Sequence, residues 1–430
     1  MKTKSIKVDE LARVEGEGGI LVKINDGNVT DVRVRIPEPP RFFEAFLRGR
    51  KYTEAPDITA RICGICPVAY QMSSVRAMEN AFQVEMPDHI RRLRRLLYCG
   101  EYIESHILHA AMLHAPDFLG MDDALVMARE HPALVRSALA MKKAGNDLVT
   151  AVGGREIHPM NVRVGGFYRA PRKRVLQQLR DRLAWGRDAV IDFTHAVMHF
   201  PIPEFTVQYE FVSLYNPLEY PLCEGTIRSS SGLEMEQKDY EFHFEERHVH
   251  HSNALHSVEK GVGSYCVGPM ARFNLNFAAL PESAKQLAVE LDIVPPLTNP
   301  FKSILVRLVE TLFAFEEAVR LIDCYEEFDP PAISLQPCAG IGIAATEAPR
   351  GLLYHRYRLS SEGMILDAKL VPPTAQNLPT MESDVRQYAS AHLDLPREEL
   401  TWRCEQVVRN YDPCISCATH ALRVEVIEEK

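Results

Sequence analysis

The chain has 430 residues, a formal net charge of −9 and a hydrophobic fraction of 46%. That length allows a large buried core, and the acidic balance gives no basic footprint for DNA or RNA. Ten cysteines are too few for a disulfide-dense secreted scaffold of this size. The sequence shows neither an apolar signal segment nor a run long enough for a transmembrane helix. We therefore expect a cytoplasmic protein with reduced thiols and no membrane span.

The pattern of apolar residues predicts a mainly α fold with peripheral β-hairpins (α+β). Residues 4–36 alternate apolar and polar side chains, with Asp26-Gly27 as a hairpin turn. Residues 201–275 suggest irregular β-structure, 331–351 a Gly/Pro-rich loop, and 352–371 a hairpin around SSEG. Helical spacing predicts helices directly after Cys66 and over 88–113, 122–150, 173–200, 299–327, 381–393 and 396–410. No linker or repeat marks a boundary, so we expect a single domain over residues 1–430.

Two cysteine pairs lie near opposite ends of the chain: Cys63 and Cys66 in RICGIC, and Cys414 and Cys417 in DPCISCATH. Each C-x-x-C places two thiolates close enough to chelate one ion, and both pairs together give four sulfur ligands. Such a set suits zinc, an iron–sulfur cluster or another thiophilic metal. Zinc modules usually keep their pairs within a few dozen residues, whereas these pairs enclose most of the chain. The spacing disfavours a zinc-stapled structural protein but leaves that alternative open.

The two cysteine motifs closely resemble the signatures of nickel–iron hydrogenase large subunits. RVEGEG (13–18), GREIHP (154–159), TEAPRG (346–351) and VPPTAQN (371–377) also resemble segments of that family, and they follow in its order. The resemblance implies the helical-bundle core of that family and a catalytic subunit for reversible H2 oxidation and proton reduction. It also implies a nickel held by four thiolates, with Cys63 and Cys414 as terminal ligands. Cys66 and Cys417 would bridge to an iron that carries CO and two cyanides.

Three residues near the thiolates gain roles from the resemblance. Glu15 would pass protons to and from a nickel-bound cysteine, and a proton carrier must lie within hydrogen-bond reach of its donor. Arg350 would lie over the open face of the two metals, where an always-charged planar donor suits an anionic centre. Asp412 would either pair with Arg350 or orient other groups around the metal ligands. Taken alone, a single glutamate is usually solvated and a single arginine usually forms a surface salt bridge.

The resemblance also implies the surroundings of the diatomic ligands and a second metal site. Thr374 would donate a hydrogen bond to a cyanide, and Pro349 and Pro373 would supply apolar surface around the diatomics. A magnesium or similar hard ion prefers oxygen ligands and water. The residues expected at that ion are Glu44, the Leu378 carbonyl and His420.

Three features depart from the pattern of many relatives. Tyr70 stands where many have a histidine that donates to a bridging sulfur, and Ser105 where membrane-associated relatives have an aspartate. Both differences favour the cytosolic, cofactor-coupled branch, which includes NAD(P)-linked and sulfur-reducing enzymes. ALRVEVIEEK (421–430) follows His420, where relatives are usually cleaved. The tail indicates either a precursor or a lineage that keeps it.

The sequence offers no further C-x-x-C set and no G-x-G-x-x-G for a nucleotide. Electrons would therefore leave through a partner small subunit with Fe–S clusters, and flavin diaphorase subunits with FAD would then reduce NAD(P). The alternative from another class is a non-enzymatic subunit similar to the complex I quinone-site subunit. The intact cysteine pairs disfavour that alternative.

Two sets of residues remain outside these motifs. One is a group of histidines whose spacing fits no recognised ligand set, so structural or solvent-facing roles are expected: His243, His248, His250, His251 and His256. The other comprises cysteines expected to pack as buried thiols: Cys99, Cys223, Cys266, Cys324, Cys338 and Cys404.

Overall fold

Long helices dominate the computed structural model, which describes residues 3–419. The four helices α4, α7, α8 and α12 pack against one another as a bundle, which confirms the predicted helical core. In chain order the helices are α1 (Phe43–Leu47), α2 (Ala55–Ala60), α3 (Pro67–Ala81), α4 (Asp88–Ile107), α5 (Ala115–Leu119), α6 (Ala124–Glu130), α7 (Pro132–Gly153), α8 (Lys173–Val197), α9 (Tyr240–His243), α10 (Pro269–Asn276), α11 (Glu282–Glu290), α12 (Ser303–Asp323), α13 (Pro373–Ala391), α14 (Arg397–Arg409) and α15 (Ile415–Ala418).

Small antiparallel sheets surround this bundle. The strands are β1 (Thr3–Val8), β2 (Gly19–Asn25), β3 (Asn28–Arg35), β4 (Val162–Arg163), β5 (Gly166–Phe167), β6 (Val212–Tyr215), β7 (Thr226–Ser229), β8 (Glu234–Met235), β9 (Phe244–Val249), β10 (Ser252–Glu259), β11 (Gly340–Ala348), β12 (Gly351–Leu359) and β13 (Ile365–Val371). Three sheets have three strands, in the orders β1-β2-β3, β6-β7-β8 and β11-β12-β13, and β4-β5 and β9-β10 form pairs. The hairpins predicted at Asp26-Gly27 and around SSEG are both present.

The loop predicted over 331–351 is wrong in its second half, because β11 occupies Gly340–Ala348 and pairs with β12. β11 packs closely against α3. A Cβ at Gly342 would collide with the carbonyl oxygen of Ala77 on that helix. The glycines that suggested a loop therefore permit the close approach of a strand to a helix.

Three predicted helices differ from the structure at identifiable residues. The helix expected over 122–150 is two helices, because Asp123 caps α6 and Pro132 begins α7. The helix expected over 88–113 ends as α4 at Ile107 and continues as a π-helix, Leu108–His114, before α5. The helix expected over 381–393 begins earlier, at Pro373, so α13 includes most of VPPTAQN. Proline is well suited to this first helical position.

The elements bring five of the six motifs together, while the sixth, GREIHP, follows α7 and contacts α2 and α3 through His158 and Pro159. RVEGEG lies between β1 and β2, RICGIC between α2 and α3, and TEAPRG at the turn between β11 and β12. The chain then returns through α13 and α14 to the second cysteine pair. Within residues 3–419, no helix is both long and apolar enough to cross a membrane. His420 and the tail 421–430 lie outside the described residues.

Candidate metal centre

The two cysteine pairs meet in the interior. The Sγ atoms of Cys63 and Cys414 are 3.6 Å apart. The sulfurs of Cys63, Cys66 and Cys417 all lie within 4.8 Å of one another. Each of the four side chains is buried, with at most 4% of its surface exposed. The chain therefore assembles one buried four-sulfur site from its two ends.

The thiols compete for protons. Hydrogen bonds from the neighbouring thiols, that of Cys414 foremost, hold the pKa of Cys63 well below its ordinary value. Burial raises the pKa of Cys414 and Cys417 well above theirs. Such close groups cannot all ionise unless a cation compensates them. A metal ion with an affinity for soft sulfur ligands supplies that compensation, so the donor set fits a transition-metal centre.

Glu15 lies against the second cysteine pair. Its Oε2 accepts a hydrogen bond of 2.9 Å from the Cys414 thiol and one of 3.2 Å from the Ser416 N–H. Its carbonyl oxygen accepts the Ile415 N–H at 2.9 Å. Gly16 follows with φ +85°, and a Cβ there would lie 2.9 Å from the Ser416 nitrogen. The glycine is therefore required for this approach of RVEGEG to the centre.

Arg350 and Asp412 form the predicted pair. Arg350 Nε donates to the Asp412 carbonyl oxygen at 2.8 Å and Nη2 to Oδ1 at 3.1 Å. Burial opposes the charge of Arg350, yet Asp412 and then the thiols of Cys414 and Cys66 hold its pKa well above its ordinary value. Nη1 is buried and has no hydrogen-bond partner within the described part of the chain. The guanidinium thus keeps one donor group uncommitted beside the sulfurs.

The apolar and hydroxyl residues named by sequence also lie at the centre. Thr374 is buried at the start of α13, and its Oγ1 accepts the Cys414 N–H at 3.0 Å. The hydroxyl hydrogen of Thr374 can therefore be donated to another acceptor. Pro349 and Pro373 are both buried. The Thr374 hydroxyl is thus a hydrogen-bond donor beside the sulfur site, and the two prolines add buried apolar surface.

The residues expected at a magnesium ion are only partly described. Glu44 is buried on α1, and its Oε1 accepts the Leu370 N–H at 2.8 Å. Leu378 is fully buried on α13. His420 lies outside residues 3–419, so this ligand set stays a prediction.

Tyr70 on α3 and Ser105 on α4 are both buried. Burial, followed by the charges of the Cys417 and Cys66 thiolates, raises the pKa of Tyr70 well above its ordinary value. Tyr70 therefore keeps its phenolic proton. The hydroxyl oxygens of both residues have no hydrogen-bond partner among residues 3–419.

Sequence inspection missed Arg272, which holds the loop that carries Arg350. Arg272 donates to the carbonyl oxygens of Ala348 and Pro349, each at 2.9 Å. Glu310 binds this guanidinium at 2.7 and 2.8 Å and Glu347 at 3.0 Å, all fully buried. No motif contains Arg272, so only the tertiary structure discloses its part in positioning Arg350.

Arg41 ties the two cysteine motifs together. Its Nη1 donates to the Ile62 carbonyl at 2.7 Å and to the Ser416 carbonyl at 3.1 Å. Its backbone N–H donates to the Thr419 carbonyl at 2.6 Å. Arg41 stands three residues before Glu44 in PRFFEAF. The sequence therefore drew attention to this segment but did not predict the contacts of Arg41.

The cysteines outside the centre divide into two groups. Cys99, Cys266 and Cys404 are buried, as predicted, and Cys223 is half-buried. The prediction of burial is wrong for Cys324 and Cys338, which are exposed. Cys324 follows the last residue of α12, and Cys338 lies in the irregular segment before β11.

Comparison with known proteins identifies this class of site. Residues 41–136 match the profile of the nickel-dependent hydrogenase family. Sulfhydrogenase 1 subunit alpha of Pyrococcus furiosus is 34% identical and aligns over 97% of this chain and 98% of its own length. The NAD-reducing hydrogenase HoxS subunit beta of Cupriavidus necator is 29% identical over 98% of this chain and 95% of its own. A crystal structure of an NAD+-reducing [NiFe]-hydrogenase in the H2-reduced state gives a TM-score of 0.88 at 27% identity, covering 97% and 99% of the two chains.

The chain therefore belongs to the nickel-dependent hydrogenases. It is the large subunit of a nickel–iron hydrogenase, an oxidoreductase, and membership in this family implies a nickel–iron centre. The four buried sulfurs fit such a centre. The predicted resemblance is confirmed, and the zinc-stapled and complex I-like alternatives are set aside.

Proposed function

We propose that the four cysteines hold the nickel–iron centre in an asymmetric arrangement. Cys63 and Cys414 would hold the nickel as terminal ligands, and Cys66 and Cys417 would hold both the nickel and an iron that carries CO and two cyanides. The meeting of both C-x-x-C pairs in one buried sulfur cluster is the single observation that carries this proposal.

When bound, a nickel–iron centre would supply the heterolytic cleavage of H2, which releases a proton. Glu15 then accepts the released proton, and it returns the proton in the reverse direction. Its Oε2 lies 2.9 Å from the Cys414 sulfur, which is within the reach required of a general base. Glu15 is half-buried, so the residue contacts the sulfur site and keeps part of its surface exposed to solvent.

Arg350 stabilises negative charge at the open side of the centre. Asp412 orients its guanidinium through two hydrogen bonds, and Nη1 is buried without a hydrogen-bond partner among residues 3–419. Thr374 donates its hydroxyl hydrogen to a cyanide, and Pro349 and Pro373 exclude water from the diatomic ligands. Removal of water strengthens each of these electrostatic contacts.

The second metal site and the domain organisation complete the proposal for this chain. Glu44, the carbonyl of Leu378 and His420 bind a magnesium or similar dication. We propose that residues 1–430 form one domain, since most of the buried side chains belong to one large cluster that runs from the first sheet to α15. A smaller cluster lies around β6, β7 and β12.

The proposed partners carry the electrons away. The relatives are named as subunits of larger enzymes, one sulfhydrogenase and one NAD-reducing. We therefore infer an Fe–S small subunit and, beyond it, flavin diaphorase subunits with FAD that reduce NAD(P) or a similar soluble acceptor in the cytoplasm.

Dye and nucleotide assays of the purified complex test these proposals separately. H2-dependent reduction of benzyl viologen should be present in the wild type, absent in Cys414→Ser and Cys63→Ser, and unchanged in the exposed-cysteine control Cys324→Ser. Dye reduction by Cys414→Ser would contradict its place in the centre. Dye reduction without reduction of NAD+ or NADP+ would contradict the proposed acceptor and leave the hydrogenase assignment intact.

A further inference from the structure

Two of the histidines outside the motifs meet a glutamate from another element. His251 lies at the turn between β9 and β10, His256 lies in β10, and Glu382 lies on α13. Their ligand atoms all lie within 4.8 Å of one another. His251 Nε2 is 2.7 Å from Glu382 Oε1, and the two imidazole rings are 5.6 Å apart at 84°.

An irregularity in β10 makes this convergence possible. Residues separated by an odd number of positions point to opposite faces of a regular strand. The pairing of β10 with β9 shifts between Ser252 and His256, and such an irregularity redirects side chains. His251 and His256 are therefore placed beside the same carboxylate, which spacing alone does not predict.

One of the three side chains is buried and the other two are partly exposed, so an ion from solvent can reach the cluster. Only 5% of His256 is exposed, and its Nε2 has no hydrogen-bond partner within residues 3–419. The side chains of His251 and Glu382 are 16% and 18% exposed, which leaves one side of the cluster open to solvent.

We propose that His251, His256 and Glu382 form a binding site for a divalent first-row metal ion of the zinc type, distinct from the cysteine centre. Two imidazoles and one carboxylate are ligands that zinc accepts, and three protein ligands leave a fourth position for water. A buried imidazole nitrogen without a partner is costly, and coordination would satisfy it. The Val34 N–H already orients Glu382 Oε1 at 2.8 Å.

The site would fasten the β9-β10 hairpin to α13. That helix begins with the Pro373-Thr374 segment at the cysteine centre, and it also contacts β3. A metal at Glu382 would therefore hold the outer part of a helix whose first turn contacts the centre. The bound metal would stabilise the position of α13 and would not alter the residues at the cysteine centre.

Zinc binding by the assembled hydrogenase complex tests this proposal. The wild-type complex and the variants His251→Gln, His256→Gln and Glu382→Gln are dialysed against ZnCl2 and desalted, and zinc is counted by mass spectrometry. The wild type should retain one more zinc per large subunit than each variant. The exposed histidines of the same hairpin give matched controls, His248→Gln and His250→Gln, which should bind as the wild type does.

Two further measurements keep the test decisive. Nickel and iron contents identify complexes in which the cysteine centre is filled. Zinc X-ray absorption should show nitrogen and oxygen neighbours at about 2.0–2.1 Å and no sulfur at about 2.3 Å. Glu382→Gln preserves an acceptor for the Val34 N–H, so its folding is protected. Equal zinc in the wild type, Glu382→Gln and His251→Gln, or zinc bound to sulfur, would overturn the proposal.

Discussion

The Cys414 thiol donates a hydrogen bond of 2.9 Å to Glu15 although 399 positions separate the two residues. The contact is reinforced by a parallel bridge between their backbones. It joins the first motif of the chain to the last, so the proposed proton acceptor and the sulfur are positioned by the same local structure. The proposed proton transfer between them requires no movement of the main chain.

Glu15→Gln should stop proton transfer and leave the metals in place. The amide oxygen can accept the same hydrogen bond, but the amide cannot carry a proton. We expect exchange between H2 and D2O to fall by about 10²- to 10⁴-fold, with nickel content unchanged.

The exposed neighbour Glu17 supplies the control for that experiment. Glu17→Gln should exchange at the wild-type rate. Wild-type exchange by Glu15→Gln would remove Glu15 from the mechanism.

Arg350→Lys should lower turnover while preserving the metal content. An ammonium lacks the planar fork that binds both the Asp412 carbonyl and its carboxylate. Loss of a hydrogen bond to a charged group corresponds to about a 10- to 100-fold decrease in turnover with H2. Arg356→Lys, a change of another paired arginine on β12, should leave turnover unaltered. Equal turnover in both variants would argue against a role for Arg350.

Arg272→Met should destabilise the subunit. It leaves Glu310 and Glu347 buried without their cation, and removal of one partner from a buried ion pair costs about 3–5 kcal/mol. Arg320→Met, at an exposed arginine paired with Glu317, should change the free energy of unfolding by no more than about 0.5 kcal/mol. Denaturant unfolding of the two variants measures the difference. Similar losses in both would show that the Arg272 network contributes little.

Glu104 should make stability depend on pH. Burial raises its pKa from 4.5 to about 7, against the opposing effect of Lys142. Between these two pKa values the folded chain holds a proton that the unfolded chain releases, so this contribution to stability falls as pH rises through that range. Glu104→Gln cannot ionise and should therefore gain stability relative to wild type at about pH 8 compared with about pH 5.

Thermal unfolding midpoints at the two pH values measure that gain. Glu130→Gln on the exposed surface should show the same difference from wild type at both. A pH-independent difference for Glu104→Gln would show that Glu104 ionises normally in the folded protein.

Sequence was sufficient to identify the residues that meet at the centre where each of them lies within a short motif. Cys63, Cys414, Glu15 and Arg350 are all recognised this way, and the structure brings them together as the motifs imply. The helical bundle was predictable because its helices keep one apolar face over many turns.

Residues whose role depends on packing between distant elements were not predictable. Arg272 supports the Arg350 loop through carbonyl oxygens, and any residue type exposes a carbonyl. His251 and Glu382 meet only because β10 is irregular and packs on α13. Gly342 suggested a loop although its missing side chain admits a strand against α3. In each case the deciding contact is absent from the local sequence.

Infrared spectroscopy of the purified complex tests the nickel–iron centre most directly. The proposed iron ligands predict one CO and two cyanide stretching bands, and they predict that Cys417→Ser abolishes all of these bands. Zinc at the four cysteines without any CO or cyanide band would contradict the central claim.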